Sequence, residues 1–174
     1  MRRLTISLCL AVLLAAAAPA LPAQDVETTV PACPSTATLD QLVKAVDEAV
    51  GGPGNKDRTC FRALFLPEAR LIPLRAMPDG GSKSRVLTVD DWITAVAKRG
   101  SESFTEKQIK VQTETYGHIA HLWSTYQTLG SDGKQLDRGI NSIQAIFDGK
   151  QWKIIEIVWQ AESPTEQVPS KYLP

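Results

Sequence analysis

The sequence predicts an α+β domain in which N-terminal helices pack on a strongly curved antiparallel sheet. Three observations carry this expectation. The last third of the chain, Tyr116 to Ala161, alternates β-branched and aromatic residues in three runs joined by "GSDGKQLD" and by Asp148-Gly149. Aspartate-glycine between such runs signals a hairpin, because glycine supplies the positive φ that the turn needs. Apolar residues at helical spacing come earlier, at Leu39, Leu42, Val43, Val46 and Val50 and again at Trp92, Ile93 and Val96. Helices grouped ahead of a long antiparallel run argue for α+β, not for alternating βαβ units.

The elements follow in order. Residues 1–23 read as a secretory signal peptide: Arg2 and Arg3, the apolar run Leu4 to Ala18, then small residues before cleavage after Ala20 or Ala23. That run is shorter than the roughly 20 residues of a membrane span. Residues 24–37 are polar with two prolines and read as a mobile leader. Thr38 with Gln41 forms a capping box that opens the first helix, and "GGPGN" ends it. Asp57 caps a short second helix that Pro67 stops. "ARLIPLRA" is a strand, and Pro73, which lacks the ladder donor, places it at an edge or bulge. Thr88 with Asp91 opens the third helix and Gly100 follows its last turn. "FTEKQIKVQTETY" begins the long sheet, with a kink or bulge near Gly117. The domain spans residues 38–163, and the proline-rich tail 164–174 packs on the surface.

Composition narrows the function. The 174 residues carry 19 basic and 19 acidic side chains, and loss of Arg2 and Arg3 with the signal leaves a small negative balance. No basic cluster suits nucleic acid, and no second apolar run suits a membrane once the signal is gone. The expected location is periplasmic or secreted. Of three cysteines, Cys9 lies in the signal. Cys33 and Cys60 remain, and an oxidising compartment lets them pair, the alternative being two unpaired buried thiols.

Two helices, "FRALFLPEARLIPL", the helix opening "TVDDWI" and the meander "YGHIAHLWSTYQ…RGINSIQAIFDGKQWKIIEIVWQAES" together resemble the nuclear transport factor 2-like superfamily. The closer resemblance is to its secreted bacterial members of the SnoaL-like type, over about Leu39 to Ser163. The resemblance implies a cone of helices over a curved sheet with a pocket inside, and homodimers through the outer sheet face. It also implies that enzymes with this fold place an aspartate, or an aspartate with a histidine, inside the cone. It selects no single activity, because one fold hosts many.

The residues themselves offer several candidates. If Asp148-Gly149 is a two-residue turn, Asn141 faces Glu156. Both then share a face with Ile143, Trp152, Ile154 and Val158, and Trp159 lies on the opposite, apolar face. Glu156 would be a lone carboxylate among apolar neighbours, a candidate base or acid, with Asn141 beside it. The alternative places Glu156 on a solvated or dimer-facing side, paired with a basic residue. His118 and His121 are candidate bases, but three residues apart on a strand they fall on opposite faces and hold no shared metal. Tyr126, Trp123, Arg138 and Gln144 complete the candidate pocket residues. No phosphate loop, dinucleotide fingerprint, nucleophile elbow or zinc pattern appears, and no cofactor is implied. Because no acid–base pair is assembled in the sequence, the favoured reading is a non-catalytic domain that binds a small apolar ligand or dimerises. The alternative is a cofactor-independent lyase or isomerase with Glu156, His121 or His118 as base.

Overall fold

Helix α1 (Leu39–Val50) begins where the Thr38 hydroxyl accepts the Gln41 amide and the Gln41 side chain accepts the Thr38 amide in return. The structure, a computed structural model, describes residues 32–174. The expected signal, its cleavage point and most of the leader lie outside the described residues. Along α1 the buried stripe is Leu42, Ala45, Val46, Ala49 and Val50. Its last carbonyls are satisfied by a side chain from outside the helix. The buried Arg58 guanidinium donates to the carbonyls of Val50 (2.7 Å), Gly51 (3.1 Å) and Pro53 (3.0 Å), so a cation sits at the negative end of the helix dipole.

The chain continues through β1 (Gly52–Pro53), α2 (Thr59–Ala63), β2 (Phe65–Ala76), β3 (Ser82–Ser84) and α3 (Val89–Ala97). Four long strands follow: β4 (Ser103–Tyr116), β5 (Ile119–Gly130), β6 (Gln135–Phe147) and β7 (Trp152–Ala161). Thr88 and Asp91 form the second capping box, at the start of α3. The strands make one sheet in the order β1-β4-β5-β6-β7-β2-β3, antiparallel except where β2 runs parallel to β7. Helices on one face of a mostly antiparallel sheet make the domain α+β. Leu42, Leu71, Leu122 and Ile154 are fully buried between the two layers.

Three local expectations need correction. Gly117 is a hairpin turn and no kink: at φ +55° it joins β4 to β5, with Tyr116 paired to Ile119. Pro73 is not at the edge of the sheet, since β2 lies between β7 and β3. Pro73 offers only its carbonyl, to the Arg85 amide at 3.4 Å, between the Leu71–Leu87 bridge and the ladder that starts at Leu74. The β6–β7 connection is four residues long, not two. The Asp148 carboxylate accepts the amides of Lys150 and Gln151 (2.8 Å each), Gly149 takes φ +98°, and Phe147 pairs with Trp152.

Both ends of the described chain are fastened to the sheet. Cys33 and Cys60 are joined by a disulfide with a Cα–Cα distance of 5.2 Å. Thr36 is buried, its carbonyl accepting the Trp152 amide (2.8 Å) and its hydroxyl donating to the Trp152 carbonyl (2.9 Å). The tail crosses the outer sheet face. Thr125 donates to the Tyr172 carbonyl, Lys110 to the Leu173 carbonyl (2.6 Å each), and Tyr172 packs on Trp123.

Candidate functional site

The strand registers decide which side chains look into the cone. In β4, Glu106 and Gln108 pair with Thr128 and Tyr126 of β5. In β6 and β7, Asn141 pairs with Trp159 and Ile143 with Ile157. Of these, Glu106, Thr128, Tyr126, Asn141, Trp159 and Ile157, with Phe61 of α2 and Trp92 of α3, line a cavity of about 260 Å³. Most of its wall is apolar, including Val46, Phe61, Phe65, Trp92, Phe104 and Trp159. Its polar groups are Glu106, Tyr126, Thr128, Asp137 and Asn141, with Arg99 as its single basic residue.

Glu106 is the centre of this polar group. One carboxylate oxygen accepts the Thr128 hydroxyl (3.3 Å) and the other the Gln108 amide nitrogen (3.4 Å). The Gln108 amide is itself oriented, because its oxygen accepts the Ser124 hydroxyl (2.5 Å) and the Asn141 amide (3.1 Å). With both donors fixed on the oxygen, the Gln108 NH₂ is left to face Glu106. Burial pushes the Glu106 carboxyl up to about 7, and the charges of Asp47 and Asp137 push the same way against the bonds from Thr128 and Gln108. Asp137 is also raised, chiefly by burial, and accepts the Tyr126 hydroxyl at 3.3 Å. The Tyr126 phenol is driven upward by burial and by the neighbouring acids, so it remains a donor at neutral pH. Arg99 offers no direct counter-charge to this cluster: its guanidinium bonds Glu102 (3.3 Å) and lies over the Phe104 ring (4.4 Å).

Of the residues singled out in the sequence, Asn141 and Tyr126 reach this cavity. Glu156 does not, and the reason is one residue. A bulge at Ile155 separates the Ala145–Ile154 pair from the Gln144–Glu156 pair. Each residue after it therefore changes face. Glu156 turns outward and forms an ion pair with Arg70, while Ile157 and Trp159 turn inward. The longer connection shifts the register by two residues and the bulge by one more, so the expected pairing of Asn141 with Glu156 is replaced by Asn141 with Trp159.

The remaining candidates lie on the outer face or at a turn. Gln144 is exposed beside Glu156. Arg138 holds Glu162 through two bonds of 2.9 Å. His121 bonds Ser142 (3.2 Å) and Trp123 lies under the tail. His118 occupies the β4–β5 turn with its ring edge toward Phe147. Among the described residues, no group of three or more His, Cys, Asp or Glu is placed to hold a metal.

Glu106, Asp137 and Thr128 were missed in the sequence. Glu106 sits between Thr105 and Lys107, both exposed, and reads as a solvated strand residue. Its only signal is alternation with the buried Phe104 two residues before it.

The cone, its cavity and its strand order define a nuclear transport factor 2-like, or cystatin-like, fold. No family model matches the chain, and no curated protein matches it by sequence. Solved structures do. It is similar to a nuclear transport factor 2-like protein of unknown function from Pseudomonas putida at 13% identity and a TM-score of 0.56, over 78% of this chain and 94% of that one. The CaMKII hub of S. rosetta is similar at 15% identity and a TM-score of 0.53, over 76% of this chain and 100% of the hub. A cystatin-like protein of unknown function from Nostoc punctiforme is similar at 8% identity and a TM-score of 0.52, over 72% and 86%.

Proposed function

We propose that the cone binds a small, mostly apolar carbonyl compound and moves a proton on it without a cofactor, as an isomerase or lyase of the SnoaL-like type does, with Glu106 as the base. The observation that carries this reading is the Glu106 carboxyl, held up to about 7 by burial in an apolar cavity beside a second raised acid and a protonated phenol. A base titrating near the working pH is ionised often enough to accept a proton and is basic enough to take one from carbon. Asn141 and Tyr126 line the same cavity: the Asn141 amide keeps one N–H beyond the one it gives Gln108, and the Tyr126 hydroxyl would have to leave Asp137, to donate to a developing enolate oxygen. A cavity of about 260 Å³ lies just below the usual range of about 300–1,000 Å³ and so suits only a small ligand. This reading replaces the favoured non-catalytic one because a raised acid facing a cavity is the feature that separates the two.

The test is exchange of α-protons in D₂O on a small cyclic ketone such as α-tetralone, followed by proton NMR. The expected result is acceleration over buffer that rises with pH through a midpoint near 7 and saturates with ketone. Exchange no faster than buffer across a panel of such ketones contradicts it.

We also infer that the chain is exported. The support is the signal-like start of the sequence together with the Cys33–Cys60 disulfide, a bond that persists in oxidising compartments. N-terminal sequencing of the protein from a periplasmic extract is expected to begin after Ala20 or Ala23. An intact Met1 in the soluble cell fraction contradicts the inference.

A further inference from the structure

The two ends of the sheet are finished differently. One end is β3, a strand of 3 residues, and so short an edge offers little to a further strand. Toward the other end lies β4, which has 14 residues. Two contacts guard its first half. The short β1 pairs with Ser103 and Phe104, and the Asp47 carboxylate of α1 accepts the Gln108 main-chain N–H at 2.8 Å. A bulge at Ile109 separates this half from the second. From Lys110 to Tyr116, β4 pairs with β5 on one side, and no strand among the described residues pairs with it on the other.

The hairpin sets the direction of the open groups. Tyr116 and Ile119 close the two-residue turn Gly117–His118, so they exchange both ladder bonds. Alternation then turns the N–H and C=O groups of Val111, Thr113 and Thr115 away from β5. No loop, helix or further strand among the described residues supplies them a partner. Every residue from Gln112 to Ile119 is exposed, Tyr116 at 84% and Ile119 at 57%.

The charges on this edge are self-complementary. Lys110, Gln112, Glu114 and Tyr116 share the outer face, where one Lys110 N–H meets the Leu173 carbonyl. Neither Lys110 nor Glu114 belongs to an ion pair among the described residues. They stand equally far on either side of Gln112. An antiparallel copy centred on Gln112 therefore sets Lys110 of each chain opposite Glu114 of the other. The same register sets Val111 opposite Thr113, both turned outward, so each such pair closes two main-chain bonds. A lysine on an edge ordinarily discourages pairing, and this register neutralises it. An unrelated extended peptide offers the main-chain bonds without the reciprocal charges.

We propose that the open edge of β4 is the docking site for a second copy of this chain, paired antiparallel about Gln112 so that the two sheets become continuous. The contact is made edge to edge, not through the outer sheet face, and it does not involve Glu106.

The test is sedimentation velocity of the full chain over a concentration series. The expected result is a monomer–dimer equilibrium. Lys110→Glu and Glu114→Lys each set like charges opposite one another and weaken self-association about tenfold. An equimolar mixture of the two variants restores it, because the mixed pair again opposes unlike charges. Thr113→Pro removes an N–H that the chain's own sheet does not use, and abolishes pairing. Near-ultraviolet circular dichroism confirms that each variant is folded. Gln112→Cys, in a Cys9→Ser background, cross-links to its own copy on mild oxidation, because the two Gln112 positions face each other across the two-fold axis. A monomer at every concentration overturns the proposal. So does a dimer that the folded variants leave intact, since it is paired elsewhere. A dimer lost in Thr113→Pro but indifferent to both charge variants contradicts the register about Gln112 and overturns the proposal as well.

Discussion

The two faces of one sheet treat charge in opposite ways. On the outer face Arg70 is paired with Glu156 and Arg138 with Glu162. On the inner face Glu106 and Asp137 share a mostly apolar cavity, hydrogen-bonded to neutral groups and with no cation bound to either among the described residues. Asp137 and Arg138 are neighbours on β6 and differ in which way they point. A paired surface charge is explained by solubility and modest stabilisation. An unpaired buried acid costs stability, and the role proposed for Glu106 gives a physical reason for that cost.

The largest expected effect separates the faces by activity. Glu106→Gln keeps the shape of the inner group and removes the base, so ketone exchange falls about 10²- to 10⁴-fold. Glu156→Gln on the outer face leaves the rate unchanged. Equal loss in both variants, measured by the same NMR exchange, would erase the distinction.

Next in size is a control that touches neither face. Cys33→Ser with Cys60→Ser opens a link spanning 27 residues and is expected to cost about 3–4 kcal/mol by the loop-entropy relation. Urea unfolding measures the loss. The exchange rate per folded molecule stays unchanged, because the disulfide lies outside the cavity.

The dependence of stability on pH should also differ in sign between the faces. Glu106 has a folded value of about 7 against an ordinary 4.5, so the folded state binds its proton more tightly. Its cost therefore appears as pH rises above about 4.5 and is complete above about 7, reaching about 3 kcal/mol. Glu162 is lowered by Arg138, so its contribution is present above the ordinary 4.5 and is lost as pH falls through the folded value. Glu106→Gln should flatten the fall in stability between pH 5 and 7.5 and leave the acid limb intact. An unchanged profile contradicts the burial of Glu106. The smallest effect belongs to the outer pair. Arg70→Ala is expected to cost about 0–1 kcal/mol, because Arg70 is largely exposed.

Much of the fold was legible and less of the site. Both capping boxes, at Thr38 and Thr88, were readable because they depend on residues three apart. The order of helices and strands followed from periodicity. The inner face of β7 is legible only as far as Ile154, because the bulge at Ile155 leaves no mark in an alternating pattern, and Glu156, Ile157, Val158 and Trp159 face the side opposite to the one alternation predicts. Glu106 was hidden for a related reason. Whether a charged residue on an amphipathic strand faces solvent or a cavity depends on what packs against that strand. Here that is α1, whose Asp47 carboxylate accepts the Gln108 main-chain N–H from 61 residues away. Trp123 was singled out, but its setting under the tail depends on contacts nearly fifty residues along the chain.

The most direct test of the account is the ionisation of Glu106 itself, followed by the ¹³C shift of its side-chain carboxyl as pH is varied in the wild-type protein. A midpoint near 7, absent from the spectrum of Glu106→Gln, is the predicted result. A midpoint near 4.5 would mean an ordinary solvated carboxylate and would remove the base from the cone.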